Sequence, residues 1–399
     1  MKTGVPYKTA DIVIAGGGAV GSAVAYYLTR LGPLDGRRIM IVERDPSYVQ
    51  SSTARSAGGL RQQFSTPENI AMSQVTLALI RNLKGTFGPA ADVSFREQGY
   101  LILASEEGRG ILASSVAQQQ TQGANTALLD ADGLATRFPW LNTAGVAAGG
   151  FGQSGEGWLD AVSLMTLFRD AARAAGVELI HDQVTAIDVA GRTVADVRLA
   201  AGGPIACGAL VNAAGPSAGA FAALAGIRLP VEPRKRFVYV IDCRNAPPAL
   251  HQAPLTVDPS GVWFRPEGRF FLTGMSPVQH QEPAPENLDQ IDHAFFGDEV
   301  WPRLAARIPA FQAIKVINAW AGYYDYNTLD QNAVIGPHPE ISNFYFANGF
   351  SGHGLQQAAA AGRALAELIV DGHYRTIDLT RFGYERIARG EPLIERNVI

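Results

Sequence analysis

The stretch DIVIAGGGAVGSAVAYYLTRLGP, Asp11 to Pro33, decides the fold. Ile12 to Ala15 is a short apolar run of buried-strand type. Gly16, Gly18 and Gly21 follow in GxGxxG spacing, and then Val20, Ala23, Val24, Tyr27 and Leu31 recur three and four apart as one face of a helix that stops at Gly32-Pro33. A second strand, Arg38 to Val42, ends in Glu43, 22 residues after Gly21. The three glycines serve different ends. Gly16 permits the tight turn, Gly18 lets a pyrophosphate approach the backbone, and Gly21 lets helix and strand pack closely. The helix N-terminus offers free N–H groups and partial positive charge to the phosphates. Glu43 is placed to hold the adenosine ribose hydroxyls, and an acid there disfavours a 2′-phosphate. A glycine-rich turn alone would mean little, but strand, helix and acid in this order define a dinucleotide site.

The chain has 399 residues, of which 47% are apolar and 18% charged, with mean hydropathy +0.03 and net charge −4. That is a soluble globular composition with room for two cores. No stretch is rich in Lys or Arg, so nucleic-acid binding has no electrostatic footprint. Two cysteines 36 apart, Cys207 and Cys243, and scattered histidines argue against a disulfide framework or metal site. Ile12 to Thr29 and Ala200 to Ile227 are uncharged, but both are crowded with small residues. A mature cytoplasmic protein without a membrane span is expected.

Between Arg44 and Ser65 the chain is small, polar and too irregular for a strand or long helix. Such a loop suits an extended dinucleotide, with the hydroxyls of Ser51, Ser52 and Thr53 at the phosphates and Ala57, Gly58 and Gly59 beside a flat ring. Pro67 to Phe87 reads as a helix, Val93 to Ser105 as strands, Glu106 to about Asp132 as a long polar helix and Ser163 to Ala175 as an amphipathic one. Gly176 to Ala200 alternates like a three-strand meander, and 235–275 reads as strands with a hairpin from Gly261 to Gly274. Pro283 to Pro309 reads as helical and Lys315 to Tyr324 as extended.

These segments, with LVNAAGPSAG (Leu210 to Gly219) and NAVIGPHPEISNFYFANGFSGHG (Asn332 to Gly354), resemble the glutathione-reductase-type FAD proteins and, within them, the D-amino-acid oxidase and sarcosine oxidase superfamily. AGYYDYNTLDQNAVIGPHPE, YFANGFSGHGLQQA and TIDLTRF resemble one branch more closely. It comprises mitochondrial FAD-dependent oxidoreductase domain-containing proteins implicated in respiratory complex I assembly, and their bacterial relatives. The resemblance implies an α/β fold: a discontinuous Rossmann FAD-binding domain over 1–86, 153–230 and 328–399. An inserted, mostly antiparallel α+β substrate domain would cover 87–152 and 231–327.

It also implies noncovalent FAD, since neither AGYYDY (Ala321 to Tyr326) nor TARSA (Thr53 to Ala57) has the Cys or His by which some relatives tether it. Arg44, Val184, Ala214 and Gly215 would join the cofactor contacts. Gly349, Gly352, His353, Gly354 and Leu355 would form a loop closing over the isoalloxazine, the following helix placing its N-terminus where reduction puts negative charge. The implied chemistry is hydride transfer from the carbon next to an amine to flavin N5, followed by hydrolysis of the imine. The substrate would be a secondary or tertiary amine or N-substituted amino acid.

Arg61 stands where sarcosine oxidases carry a carboxylate-binding Arg, and is either that anchor or a loop staple. Gln356 stands where they carry a Lys, which suits a bulkier or less anionic substrate. Near Leu272, RFFLTG offers no lysine to stabilise superoxide, so a dehydrogenase passing electrons to a quinone or electron-transfer flavoprotein is favoured over an oxidase. Tyr324 and Tyr326 either shape an amine pocket or pack in the core. His353 is either a flavin partner and proton carrier near neutral pH or a structural histidine. Two other functions stay open: an FAD-binding assembly factor with little catalysis, and a 2-hydroxy-acid dehydrogenase with His353 as base.

Overall fold

The computed structural model describes residues 8–32, 38–278 and 282–396. Pro33 of the Gly32-Pro33 stop therefore lies outside the described residues.

Two eight-stranded sheets organise the chain. In the first, the strand Lys8–Ala15 lies parallel between Ile39–Glu43 and Ile205–Asn212, with Glu178–His181 beyond the former and Phe344–Asn348 beyond the latter. Val13 and Ile14 are fully buried, as a parallel strand covered on both faces requires. The hairpin Val184–Ala190/Thr193–Leu199 joins this sheet through Ile205–Asn212.

The other sheet runs in the order 315–327, 231–242, 270–274, 263–267, 255–257, 100–104, 148–152, 126–130 and is antiparallel except where 255–257 meets 100–104. Its aromatic core holds Phe151, Tyr239, Phe264, Phe271 and Phe311.

The first helix, Ala19–Leu28, is crossed by the late helix Gly354–Asp371. A Cβ on Gly362 would lie 2.7 Å from Ala23 Cβ, so only glycine allows this approach. The crossing brings both helix N-termini, more than 300 residues apart in sequence, to one crevice beyond the carboxyl ends of the parallel strands.

Several expected elements differ. The long helix over 106–132 is a helix Arg109–Thr121, a strand Thr126–Asp130 and a short helix Ala131–Arg137. Gly123, at φ +81°, ends the first; Thr126–Asp130 then pairs with Ala148–Gly152, and Asp130 accepts from Gly133 N to start the second helix. The expected helix 67–87 breaks at Asn82 into Pro67–Arg81 and Leu83–Phe87. Of the supposed meander, Glu178–His181 pairs in parallel with Ile39–Glu43 instead. Over 283–309, helical structure starts only at His293, where Asp292 caps Phe295 N.

Candidate active site

A single cavity of about 1370 Å³ runs from the Gly16 turn to the face of the second sheet. At its first end Gly16 adopts φ +102°, and a Cβ there would meet Ala213 O at 2.3 Å. A Cβ on Gly21 would meet Gly16 O at 2.0 Å, so Gly21 sets helix packing and does not line the cavity. Gly18 does line it, and a Cβ there would have only Thr53 Oγ1 nearby, at 3.3 Å. That opening is the cradle a side chain would fill.

Glu43 accepts from Gly17 N and Asp45 N, both at 2.8 Å, which fixes the carboxylate at the rim of the turn. Thr53 Oγ1 accepts from Ala19 N at 3.1 Å, and Ser52 Oγ is buried against the cavity without a partner among the described residues. One helix N-terminus, a bare turn and an unpartnered hydroxyl fit the diphosphate of an extended dinucleotide. Arg44, Ser51, Gly58, Gly59, Val184, Ala214 and Gly215 also line the cavity. Gly349 does not: it serves a turn at φ +75° packed against Val231 and Asn327.

At the other end the cavity meets Arg61, Tyr100, Tyr324, Gly352, His353, Gly354, Leu355 and Gln356. A Cβ on Gly352, at φ +100°, would meet the Tyr324 ring at 2.5 Å, so this glycine lets the ring close on the loop. Gln356 accepts from Arg61 N at 2.8 Å, tying the 57–63 loop to the first turn of the Gly354 helix. Arg61, 2% exposed, has its guanidinium over the Phe64 ring at 4.5 Å and its Nη2 3.0 Å from His353 Nε2. A guanidinium only donates, so Nε2 accepts and the ring proton sits on Nδ1. Burial, then the adjacent Arg61 cation, hold the His353 pKa down to about 3. Of the two expectations for His353, this arrangement favours the structural histidine: its imidazole is neutral near pH 7 and its lone pair is engaged by Arg61.

Tyr326 lies under the Arg234 guanidinium outside the cavity lining, so of the two tyrosines only Tyr324 faces the site. Among the described residues no lysine lines the cavity: Leu272 packs with Val238 and Val240, and Lys235 Nζ donates to Asn287 O and Gln290 O. No cysteine among the described residues lines it either, and His353 is the one histidine among them that does. Among the described residues no cluster of side chains could hold a metal ion, and no helix is long and apolar enough to cross a membrane.

Four residues of the site are poorly marked in the sequence. The motif places Thr53 only generally at the phosphates. Asp325, between tyrosines in YYDYN, accepts from Gly349 N at 2.8 Å and Phe350 N at 3.1 Å and so shapes the loop before the helix; burial pushes its pKa up to about 6. Tyr100 faces both Arg61 and Gly59. Glu156, fully buried among glycines in SGEGW, accepts from Gln62 N at 2.6 Å and Gln63 Nε2 at 2.8 Å beneath the Arg61 loop. A lone acid in a glycine-rich or aromatic stretch is the available signal for Glu156 and Asp325.

Burial raises the Glu156 pKa to about 7. The native state thus holds a proton that the unfolded chain has lost, and this contribution to stability is present at low pH and fades as pH rises towards 7. His353 acts in the opposite sense over an overlapping range, so the comparison must isolate Glu156. Thermal unfolding of the wild type and Glu156→Gln should show the wild type's relative stability falling between about pH 5 and pH 8. A pH-independent difference would contradict this.

Parallel strands whose carboxyl ends meet two helix N-termini over a bare glycine turn define a dinucleotide-dependent enzyme of the FAD-binding type. The family model described as DAO, FAD dependent oxidoreductase, matches residues 11–368. The chain belongs to this family, is an FAD-dependent oxidoreductase and binds FAD. It is 43% identical to FAD-dependent oxidoreductase domain-containing protein 1 of Xenopus laevis, over 99% of this chain and 86% of that protein. It is 26% identical to the mitochondrial dimethylglycine dehydrogenase of Homo sapiens, over 91% of this chain but 43% of that one. Among solved structures, L-proline dehydrogenase from P. horikoshii superposes with TM-score 0.84 and 26% identity, over 97% of this chain and all of the other.

Proposed function

We propose that the protein oxidises the C–N bond of a secondary or tertiary amine, with an N-substituted amino acid as substrate, and that it works as a dehydrogenase. The observation that carries this is the Arg61–His353–Tyr324 end of the cavity, where a buried cation faces aromatic walls and no lysine. Bound FAD supplies the two-electron acceptor, with Gly18, Ser52 and Glu43 holding its diphosphate and ribose portions.

The chain's own residues supply the rest. Arg61 meets the substrate carboxylate, which accepts from a guanidinium more strongly than a neutral imidazole does and therefore displaces His353 from Nη2. Tyr324 and Tyr100 wall the amine, and Gln356 and Glu156 hold the loop that carries Arg61. The names of the dimethylglycine and L-proline dehydrogenase relatives agree with an N-substituted amino acid. With no cationic Nζ among the described residues at the cavity, slow reaction with oxygen is expected, so electrons would leave to a quinone or electron-transfer flavoprotein. In this reading 1–86, 153–230 and 328–399 form the FAD-binding domain, and 87–152 and 231–327 the substrate domain.

Anaerobic mixing of the holoenzyme with a panel of N-methyl amino acids, simple amines and 2-hydroxy acids tests the reading. Bleaching of the flavin by N-methyl amino acids is expected. Bleaching by 2-hydroxy acids alone would overturn it, and no bleaching by any compound would favour an FAD-binding assembly factor.

A further inference from the structure

Resting on that reading, we infer that Leu255, Val257, Trp263 and Met275 form the side-chain subsite, and that it selects amino acids with one carboxylate and a bulky apolar substituent.

Leu255 and Val257 sit two apart on the strand 255–257, so both point to the same face, and both line the cavity while Thr256 does not. Leu255 pairs with Tyr100 across the parallel ladder. A Cβ built on Gly59 would lie 3.4 Å from Tyr100 Oη and 3.8 Å from Leu255 Cδ1, so this wall adjoins the segment leading into Arg61. Tyr100 links the two, its ring 5.9 Å from the Arg61 guanidinium. Trp263 extends the wall, and Met275 closes it beside Gly261, where a Cβ would stand 3.9 Å from Met275 Cγ.

The charges at this end leave little for a second polar group on the ligand. Arg236 makes a bidentate pair with Glu282, at 2.7 and 2.8 Å, which leaves only its buried Nε without a hydrogen-bond partner among the described residues. Arg55 donates to Val49 O and Ala321 O. The Asp325 carboxylate is taken by two backbone N–H groups. Arg61 is the cation that the reading assigns to the α-carboxylate. A second carboxylate or an ammonium on the substrate side chain would face apolar carbon and lose its hydration without replacement. A hydrocarbon side chain gains about fourfold in affinity for each methylene buried.

The test uses holoenzyme and unreactive carboxylates, read through the flavin's visible spectrum. Acetate, 4-methylpentanoate, phenylacetate and succinate are titrated in turn. The two apolar acids should bind at least about tenfold more tightly than acetate, and succinate no better than acetate. Equal affinities, tightest binding by succinate, or no spectral response to any acid would overturn the subsite. Leu255→Ala should cut the advantage of phenylacetate over acetate by about tenfold, whereas Leu255→Met keeps the volume and should retain it. An unchanged advantage in Leu255→Ala would count against the assignment. Reduction is scored separately: N-methylleucine should outpace sarcosine. If no amine reduces the flavin but the order of acids holds, the proposed reaction fails and the subsite stands.

Discussion

Gly18→Val should give a folded protein that has lost its yellow colour. The backbone at Gly18 sits at φ −63° and ψ −171°, an extended conformation that valine accepts, and a Cβ there meets only the Thr53 hydroxyl. The protein should therefore fold. The side chain instead fills the space left for the diphosphate and keeps it from the N–H groups at the start of the Ala19–Leu28 helix. Hydrogen bonds to a charged group are worth about 1.5–3 kcal/mol each. Losing two of them should weaken FAD binding by about a hundredfold or more. Circular dichroism would report the fold, and the flavin's visible absorbance after desalting would report the cofactor. Gly16→Ala is the contrast. Its Cβ would collide with Ala213 O at φ +102°, so that variant should fail to accumulate as folded protein. If Gly18→Val kept its FAD, the diphosphate would lie elsewhere.

Arg61→Ala should lower kcat/KM for N-methyl amino acids by roughly two to three orders of magnitude, the loss expected when a buried, charge-assisted contact of about 3–4 kcal/mol goes. Arg61→Lys should recover only part of it, because an ammonium cannot reproduce the bidentate fork. Arg61 also stacks on Phe64 and holds His353, so activity alone would not separate anchoring from structure. The discriminating comparison is an amine without a carboxylate, such as N-methylbenzylamine. If Arg61 is the anchor, the variants lose the N-methyl amino acid far more than the plain amine. Equal losses on both would make Arg61 the loop staple, held by Phe64 below and Gln356 behind.

Much of the cofactor half was legible because its determinants are local. The turn, the helix and Glu43 lie within one βαβ unit, so the stretch from Asp11 to Glu43 carries the whole device. The glycine loop before Gly354 was legible for the same reason. Roles within these motifs were less so: Gly21 and Gly349 share the spacing of cavity-lining glycines yet face Gly16 O and Val231. Composition misled over 106–132, where the run of Gln and Thr favours one helix throughout and only pairing with 148–152 makes Thr126–Asp130 a strand.

The sequence by itself determined the nucleotide-binding turn, the family and the two glycine loops that reach the cavity, though not which glycines within them line it. Tertiary structure alone decided what surrounds them. It set Arg61 against His353 across a separation of 292 residues and thereby fixed a tautomer. It buried Glu156 under the Arg61 loop, and it turned Leu255, Val257 and Met275 toward one space. Those facts rest on long-range packing, and a side chain's pKa and accessibility depend on neighbours that its own segment does not encode.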